Sequence, residues 1–501
     1  MKTRFSRPGI LAIVIASAML TGCVASTGTP AAPAATSQPS APTATPLPEP
    51  VTITFWECWG GATGDFLVEE ANLFHEQYPW ITVEVSHFAG RGAFREAFAL
   101  AFESENAPDT FIRGHSFMQM IENEWIRPLD PWITPEWKAR FPEGSFSETR
   151  NMWRGETYSF TPFAAPGVSR VLFINEDLFR EAGLVDADGD IQTPETWGDL
   201  RSMAAQITKA GKGEFYGIGI GIKDPRPMVW WFDLATLAGA PMTPYDYDLR
   251  TGKFVYSTHP AFAQIIELLL GMKEDGSVYP HEGTIDDSNI YSFFGQAKFA
   301  MFMSGSYHAN NLKQDFPDFQ NYRIIPVPVP DKGQTGEIPS TPGQGHFFIS
   351  AQSQHPDEAW LWIDWLASRG LHERMIANGI GFSIFADLNK PENIPDVHQA
   401  QAYEASAAHG VFGPFPPARN PDTALVIPEP VMPDVGDMLV GIYTGQIEDW
   451  QQALVDLDAQ KQAALEAAIQ EAKEDGVDVS MEDFIFPDWN PMENYVTRPA
   501  E

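Results

Sequence analysis

The sequence predicts an α/β protein of two domains, and three features carry that expectation. Segments that alternate with a period of two trade places with segments of helical period along most of the chain. The part that reads as folded, roughly 450 residues, is long enough for two hydrophobic cores. The chain holds only 2 Cys, and one of them belongs to a leader segment, so the fold must rest on its core.

Val51 to Trp56 (VTITFW) alternates as a strand. Phe66 to Tyr78 reads as a helix, with Phe66, Glu70 and Phe74 spaced by four. Ile81 to Val85 is a second strand, Phe94 to Ser104 a helix, and Pro108 to Ile112 a third strand. Strands alternating with helices imply a sheet covered on both faces. The pattern continues through Arg170 to Asn175, Thr196 to Ala210, Tyr216 to Ile222, His259 to Lys273, Ala297 to Met303 and His346 to Ile349. Helices dominate after Pro356: Pro356 to Arg369, His372 to Asn378 and Ile447 to Lys473. No internal repeat of fixed period is visible.

The chain starts with Lys2, Arg4 and Arg7 ahead of the apolar run Ile10 to Leu20. That run is shorter than the about 20 residues a membrane span needs and fits a signal-peptide core. It ends in Leu20-Thr21-Gly22-Cys23, similar to a lipoprotein lipobox, in which the cysteine is acylated and becomes the new N-terminus. Residues 1–22 are thus expected to be a lipoprotein signal peptide. Residues 23–50, almost all Ala, Thr, Pro, Ser and Gly, form a spacer that cannot bury a core. With Cys23 lipidated, no intramolecular disulfide is available, and Cys58 is expected as a buried, inert thiol.

The formal charge is −35, from 32 Lys and Arg against 67 Asp and Glu. A nucleic-acid partner is excluded on that balance. The chain also carries 15 Trp, 13 Tyr and 34 Phe, more than a core strictly needs, and exposed aromatic faces suit stacking on sugar rings.

Ligands of open α/β sheets sit beyond the carboxyl ends of strands. That places Glu57 to Asp65, Arg113 to Ser116, Ser304 to Tyr307 and Pro342 to His346 at candidate positions. These segments lie within a series of motifs in a fixed order: ITFWECWGG, then YPWITVEV; APDTFIRGH; WIRPLD; VLFINEDLFREAGL, then PETWGDL; GQAKFAMFMSGSY; and GQGHFFISAQSQHPDEAWLWIDWLAS. Together they resemble the family 1 extracellular solute-binding proteins, the maltose-binding-protein-like group serving ABC sugar importers, over roughly residues 51 to 470. The resemblance implies a two-lobed periplasmic-binding-protein-like fold of class II, with a hinge of several crossing segments and a ligand cleft between the lobes. It divides the chain into a first lobe of 51–163 plus 344–385 and a second of 164–343 plus 386–473, followed by a C-terminal extension of 474–501.

By position in these motifs, Glu57, Trp59, Gly60 and Asp65 should line the cleft. Trp59 could stack on a pyranose face, and Asp65 could accept two hydroxyl hydrogens. The plainer alternatives are a Trp59 packed in its lobe and an Asp65 that caps the helix at Phe66. Arg113, Gly114, His115 and Ser116 follow the third strand, where the family presents polar contacts. Arg113 offers five fixed donors, against which stand a surface salt bridge and a loop-holding fork. Trp230 and Trp231 open a helix after KDPRPMV, one facing the cleft and the other the core. Tyr307 aligns with a stacking aromatic, while Gly305 and Ser306 expose backbone amides. Gly343, Gln344, Gly345 and His346 align with a small-residue strand where backbone approaches ligand. Arg419 is a further, weaker candidate.

Asp186, Asp188 and Asp190 invite a calcium reading that stays open, but they depart from the EF-hand pattern, with glycine fourth and Trp197 twelfth. They read as an acidic turn, and Asp286 and Asp287 as a solvated one. Gly217, Gly219 and Gly221 are too close together for a dinucleotide fingerprint. No cofactor or metal is expected. The function implied is capture of a sugar or oligosaccharide, without chemistry, by a monomer anchored outside the cell membrane and serving ABC permease subunits. Two alternatives stay open: an extracellular glycoside hydrolase using paired carboxylates, and a ligand sensor lacking a transporter.

Overall fold

A computed structural model describes residues 48–88, 91–163, 170–240 and 246–497. Residues 1–47, which hold the expected signal peptide, Cys23 and most of the expected spacer, lie outside the described residues. Strand Val51–Glu57 is central to the first of two four-stranded sheets. Ile81–His87 and Thr110–Ile112 flank it in parallel, and Phe347–Ile349 adds an antiparallel edge beyond Thr110–Ile112. The alternation that predicts the central strand buries Ile53 and Phe55 completely. Helix Gly61–Gln77 packs on them, beginning five residues earlier than its apolar periodicity indicates. Trp362, fully buried on helix Pro356–Leu366, meets Phe55 and Phe74 edge-on at 5.7 and 5.3 Å. Such pairs add about 0.5–1.5 kcal/mol each beyond the area they bury.

The late residues of this lobe are held to the early ones by a buried carboxylate. Glu70, 1% exposed, accepts from Nε and Nη2 of Arg374, both at 2.6 Å, and from Nε1 of Trp365 at 2.9 Å. A carboxylate this deep is tolerated only because all three donors are present. The same core continues through Leu388 and Ile394, past the boundary at 385 expected from sequence.

The second sheet runs in the order Tyr216–Gly219, Phe299–Gly305, Arg170–Asn175, Tyr322–Pro326. Its first pair is parallel and the other two are antiparallel. The edge strand Tyr322–Pro326 has no counterpart in the sequence expectations, because YRIIP runs into prolines without alternation. The glycines of GIGIG have a packing role. A Cβ on Gly217 would lie 2.1 Å from the Ala204 carbonyl oxygen, and one on Gly219 2.4 Å from the Phe299 ring. Helix Trp197–Gly211 can therefore lie directly on the strand. That helix starts with a reciprocal cap, Thr196 Oγ1 accepting from Asp199 N at 3.1 Å and Asp199 Oδ2 accepting from Thr196 N at 3.0 Å.

The stretch after helix Trp450–Glu474 is part of the second lobe's core. Phe484, Phe486 and Trp489 are buried against Tyr247, Leu249 and Leu465. Most of the aromatic surplus is likewise internal, with Phe94, Phe98 and Phe102 forming a ladder beside Phe111 and Trp125. Among the described residues no helix is long and apolar enough to cross a membrane.

Candidate ligand cleft

A cavity of about 750 Å³ opens where residues of both lobes meet, within the ~300–1,000 Å³ typical of small-ligand sites. Two other hollows, of about 540 and 460 Å³, draw their walls from second-lobe residues only. The first-lobe wall of the cleft is apolar and aromatic: Trp59, Phe163, His346, Ile380 and Phe382. Trp59 packs at 5.7 to 5.9 Å from Phe163, Phe347 and His346. His346 stands perpendicular to Phe163 at 5.1 Å, and its Nδ1–H donates to the Gln344 carbonyl at 2.7 Å.

Glu57 moulds the loop that presents Trp59. It is fully buried and so does not face a ligand. Its Oε2 accepts from the amides of Trp59 at 2.6 Å and Gly60 at 3.2 Å, and its Oε1 meets His87 Nδ1 at 2.7 Å. Gly60 and Gly61 both have positive φ, +59° and +50°, and a Cβ on Gly60 would strike the His87 ring at 2.4 Å. Only glycine makes this turn cheaply. Gly60 and Gly61 line the cleft together with Ala62 and Thr63. Asp65 does not. It lies exposed inside helix Gly61–Gln77, away from both its start and the cavity.

The second-lobe wall is polar. Ser306, Tyr307, His308, Asn310, Asn311, Gln314 and Asp315 come from the end of strand Phe299–Gly305 and helix His308–Asp315, joined by Asp287, Ser288 and Tyr291. Gly305 allows this turn, since a Cβ there would lie 1.9 Å from Tyr307 Cε1. The Tyr307 ring is 45% exposed, while its hydroxyl donates to Asp287 Oδ2 at 2.5 Å. Ser304 Oγ donates to Asp287 Oδ1 at 2.8 Å. Asn311 donates to Nδ1 of His308 at 3.0 Å, which leaves the Nε2 proton facing Asp287 Oδ1 at 3.3 Å. Burial opposes ionisation of Asp287, but the interactions with His308, Tyr307 and Ser304 outweigh it and draw its pKa down to about 2. The solvated turn expected at Asp286 and Asp287 is not what the structure shows, since their side chains are only 15% and 13% exposed. Asp286 pairs with Lys223 at 2.6 Å, and Asp287 holds the cleft wall together.

Residues 60–371, more than half of the chain, match the family described as bacterial extracellular solute-binding protein. The chain belongs to that family. Solved structures share the two-lobed periplasmic-binding-protein-like fold at low identity. The GacH receptor of Streptomyces glaucescens, solved unliganded and with acarbose, matches at a TM-score of 0.63 and 16% identity, over 83% of this chain and 98% of that one. A solute-binding protein of an ABC transporter from Thermotoga lettingae, bound with alpha-D-tagatose, gives 0.62 and 20%, over 83% and 99%. The maltose/maltodextrin-binding domain MalE of Bdellovibrio bacteriovorus, bound to maltotriose, gives 0.57 and 17%, over 85% and 100%. No curated protein matches the sequence.

Several residues that the solute-binding motifs nominate lie outside the cavity. Gly114 is buried over the Phe98 ring, and His115 packs between Phe98 and Trp125 while hydrogen-bonded to Gln119 and the Arg95 carbonyl. Ser116 caps helix Phe117–Glu122, accepting from Gln119 N. Arg113 donates its amide to the His346 carbonyl at 2.9 Å and is not on the cavity wall. Trp230 and Trp231 sit late in helix Arg226–Asp233 instead of opening it. Trp231 is core, and Trp230 lies beneath the Arg170 guanidinium at 3.9 Å. Gly343 and Gly345 serve the crossing segments instead of a ligand: a Cβ would meet Thr161 Oγ1 or Ser159 Cβ at 2.6 Å. Gln344 contributes its carbonyl to His346 and does not line the cavity. Arg419 is far from the cleft in role, donating to the Glu482 and Ile485 carbonyls and covering Phe486 at 3.6 Å.

Asn310, Asn311, Gln314, Tyr291 and Gln399 are cleft residues that sequence reasoning missed. The available signal was the polar face of HANNLKQD directly after SGSY. The acidic turn at Asp186 closes on itself, Asp186 Oδ1 accepting from the amides of Asp188 and Asp190 at 2.9 Å. Among the described residues no group of three or more His, Cys, Asp or Glu is arranged to hold a metal ion.

Proposed function

We propose that this protein is the sugar-capturing component of an ABC importer, held outside the cell by a lipid on Cys23 and the spacer after it. The observation that carries the reading is the pairing of walls across one cavity. Trp59, Phe163 and Phe382 supply faces for sugar C–H groups, and Ser306, Asn310, Asn311, Gln314 and Gln399 supply donors and acceptors for hydroxyls. The acarbose, tagatose and maltotriose bound by proteins of the same fold support it.

Ligand would enter while the lobes stand apart and shift the balance toward a closed form that docks on permease subunits. In this reading the first lobe takes residues 51–163 and 344 to about 394, the second takes the rest, and the segments near Ser159, Gly345 and Ser383 flex between them. The sugar leaves unaltered and the protein works as a monomer. Intrinsic fluorescence titration with mono-, di- and trisaccharides tests this, because Trp59 lies on the cavity wall. Saturable quenching or enhancement by at least one sugar is expected. No response to any sugar, by fluorescence or calorimetry, would overturn the reading.

A further inference from the structure

The cavity carries two carboxylates, Asp287 and Asp315, and no Lys or Arg among its described lining residues. Sites that hold phosphate or carboxylate groups need the opposite balance, with guanidinium or ammonium donors converging on the ligand. We infer that the cleft, taken as the sugar site above, selects uncharged or amine-bearing polyhydroxylated ligands and rejects their phosphorylated or uronic counterparts, with Asp287 as the discriminating group.

Asp287 fits this role for a geometric reason. Its oxygens already accept from Tyr307, Ser304 and His308, so the negative charge is fixed in place on the cavity wall at low exposure. Arg226 approaches Asp287 only to 3.7 Å from the neighbouring helix, and its side chain is 61% exposed, where water screens it. A ligand anion entering beside Asp287 would meet a like charge where screening is weak. It would also lose its hydration with no charged donor to replace it. A neutral sugar meets neither penalty and can stack on the Tyr307 ring that Asp287 holds in place.

The test is calorimetric titration with matched ligands: a neutral sugar that binds, its phosphate ester, its uronic acid and its amino derivative. The anionic forms are expected to bind at least tenfold more weakly than the neutral form, and the amino form at least as well as the neutral form. In Asp287→Asn the gap between neutral and anionic forms should narrow severalfold, even though the neutral sugar also loses some affinity. Anions binding as tightly as the neutral sugar would overturn the selectivity and leave the sugar reading standing. An unchanged gap in a folded Asp287→Asn protein would overturn the assignment to Asp287. Failure of every sugar would bring down both readings together. If Asp287→Asn does not fold, the wild-type series still decides the selectivity, and Asp315→Asn tests the second carboxylate.

Discussion

The two walls of the cleft are built on different principles. The first-lobe wall is a set of rings resting on one another, Trp59 on Phe163 and Phe347, His346 across Phe163. Its polar groups are turned inward, as with the buried Glu57 that holds the loop from behind. The second-lobe wall is a hydrogen-bonded lattice around Asp287, whose polar atoms face the cavity. One side offers contact area with little direction, and the other offers direction with little area. A hydroxylated ring needs both, one for each of its surfaces. On the proposed sugar reading, affinity would come chiefly from one lobe and selectivity from the other.

That division can be broken from either side. Trp59→Ala should have the largest effect, weakening sugar binding by roughly 30- to 150-fold, about 2–3 kcal/mol, as for other buried aromatic anchors. Calorimetry on the folded variant would measure it, and a loss under fivefold would mean the rings are packing only. Tyr307→Phe keeps the ring but removes the hydroxyl donated to Asp287, and should cost about tenfold in affinity. If it instead leaves binding untouched, the lattice does not orient the ring. His115→Ala is the smallest, changing affinity by less than about twofold while lowering the melting temperature, because His115 is packed against Phe98 and Trp125. A large loss of binding there would place the third-strand loop back on the ligand path.

Much of the fold was legible because its signals are local. Alternation placed the strand at Val51, and four-residue spacing placed the helix at Phe66. The chain's return at Phe347 was readable only through the resemblance, since no local pattern says which sheet a short strand joins. Trp59, Ser306, Tyr307 and His346, all within a few residues of a strand's end, line the cavity. What failed was any residue whose role depends on a distant partner. Glu57 looks like a ligand acceptor until His87 and two amides are seen to saturate it. Arg419 looks like a donor until the carbonyls at Glu482 and Ile485 are found beneath it. Asp287 reads as surface because nothing near it in sequence shows that Ser304, Tyr307 and His308 close over it.

The position of Phe486 and Trp489 has a consequence for how the chain comes to be made. The second lobe is completed by residues as late as Phe486 and Trp489, the first by Trp362 and Arg374. As the polypeptide is made, the first lobe gains its last parts well before the second. A chain cut before Phe484 would leave Tyr247, Leu249 and Leu465 without the rings that cover them.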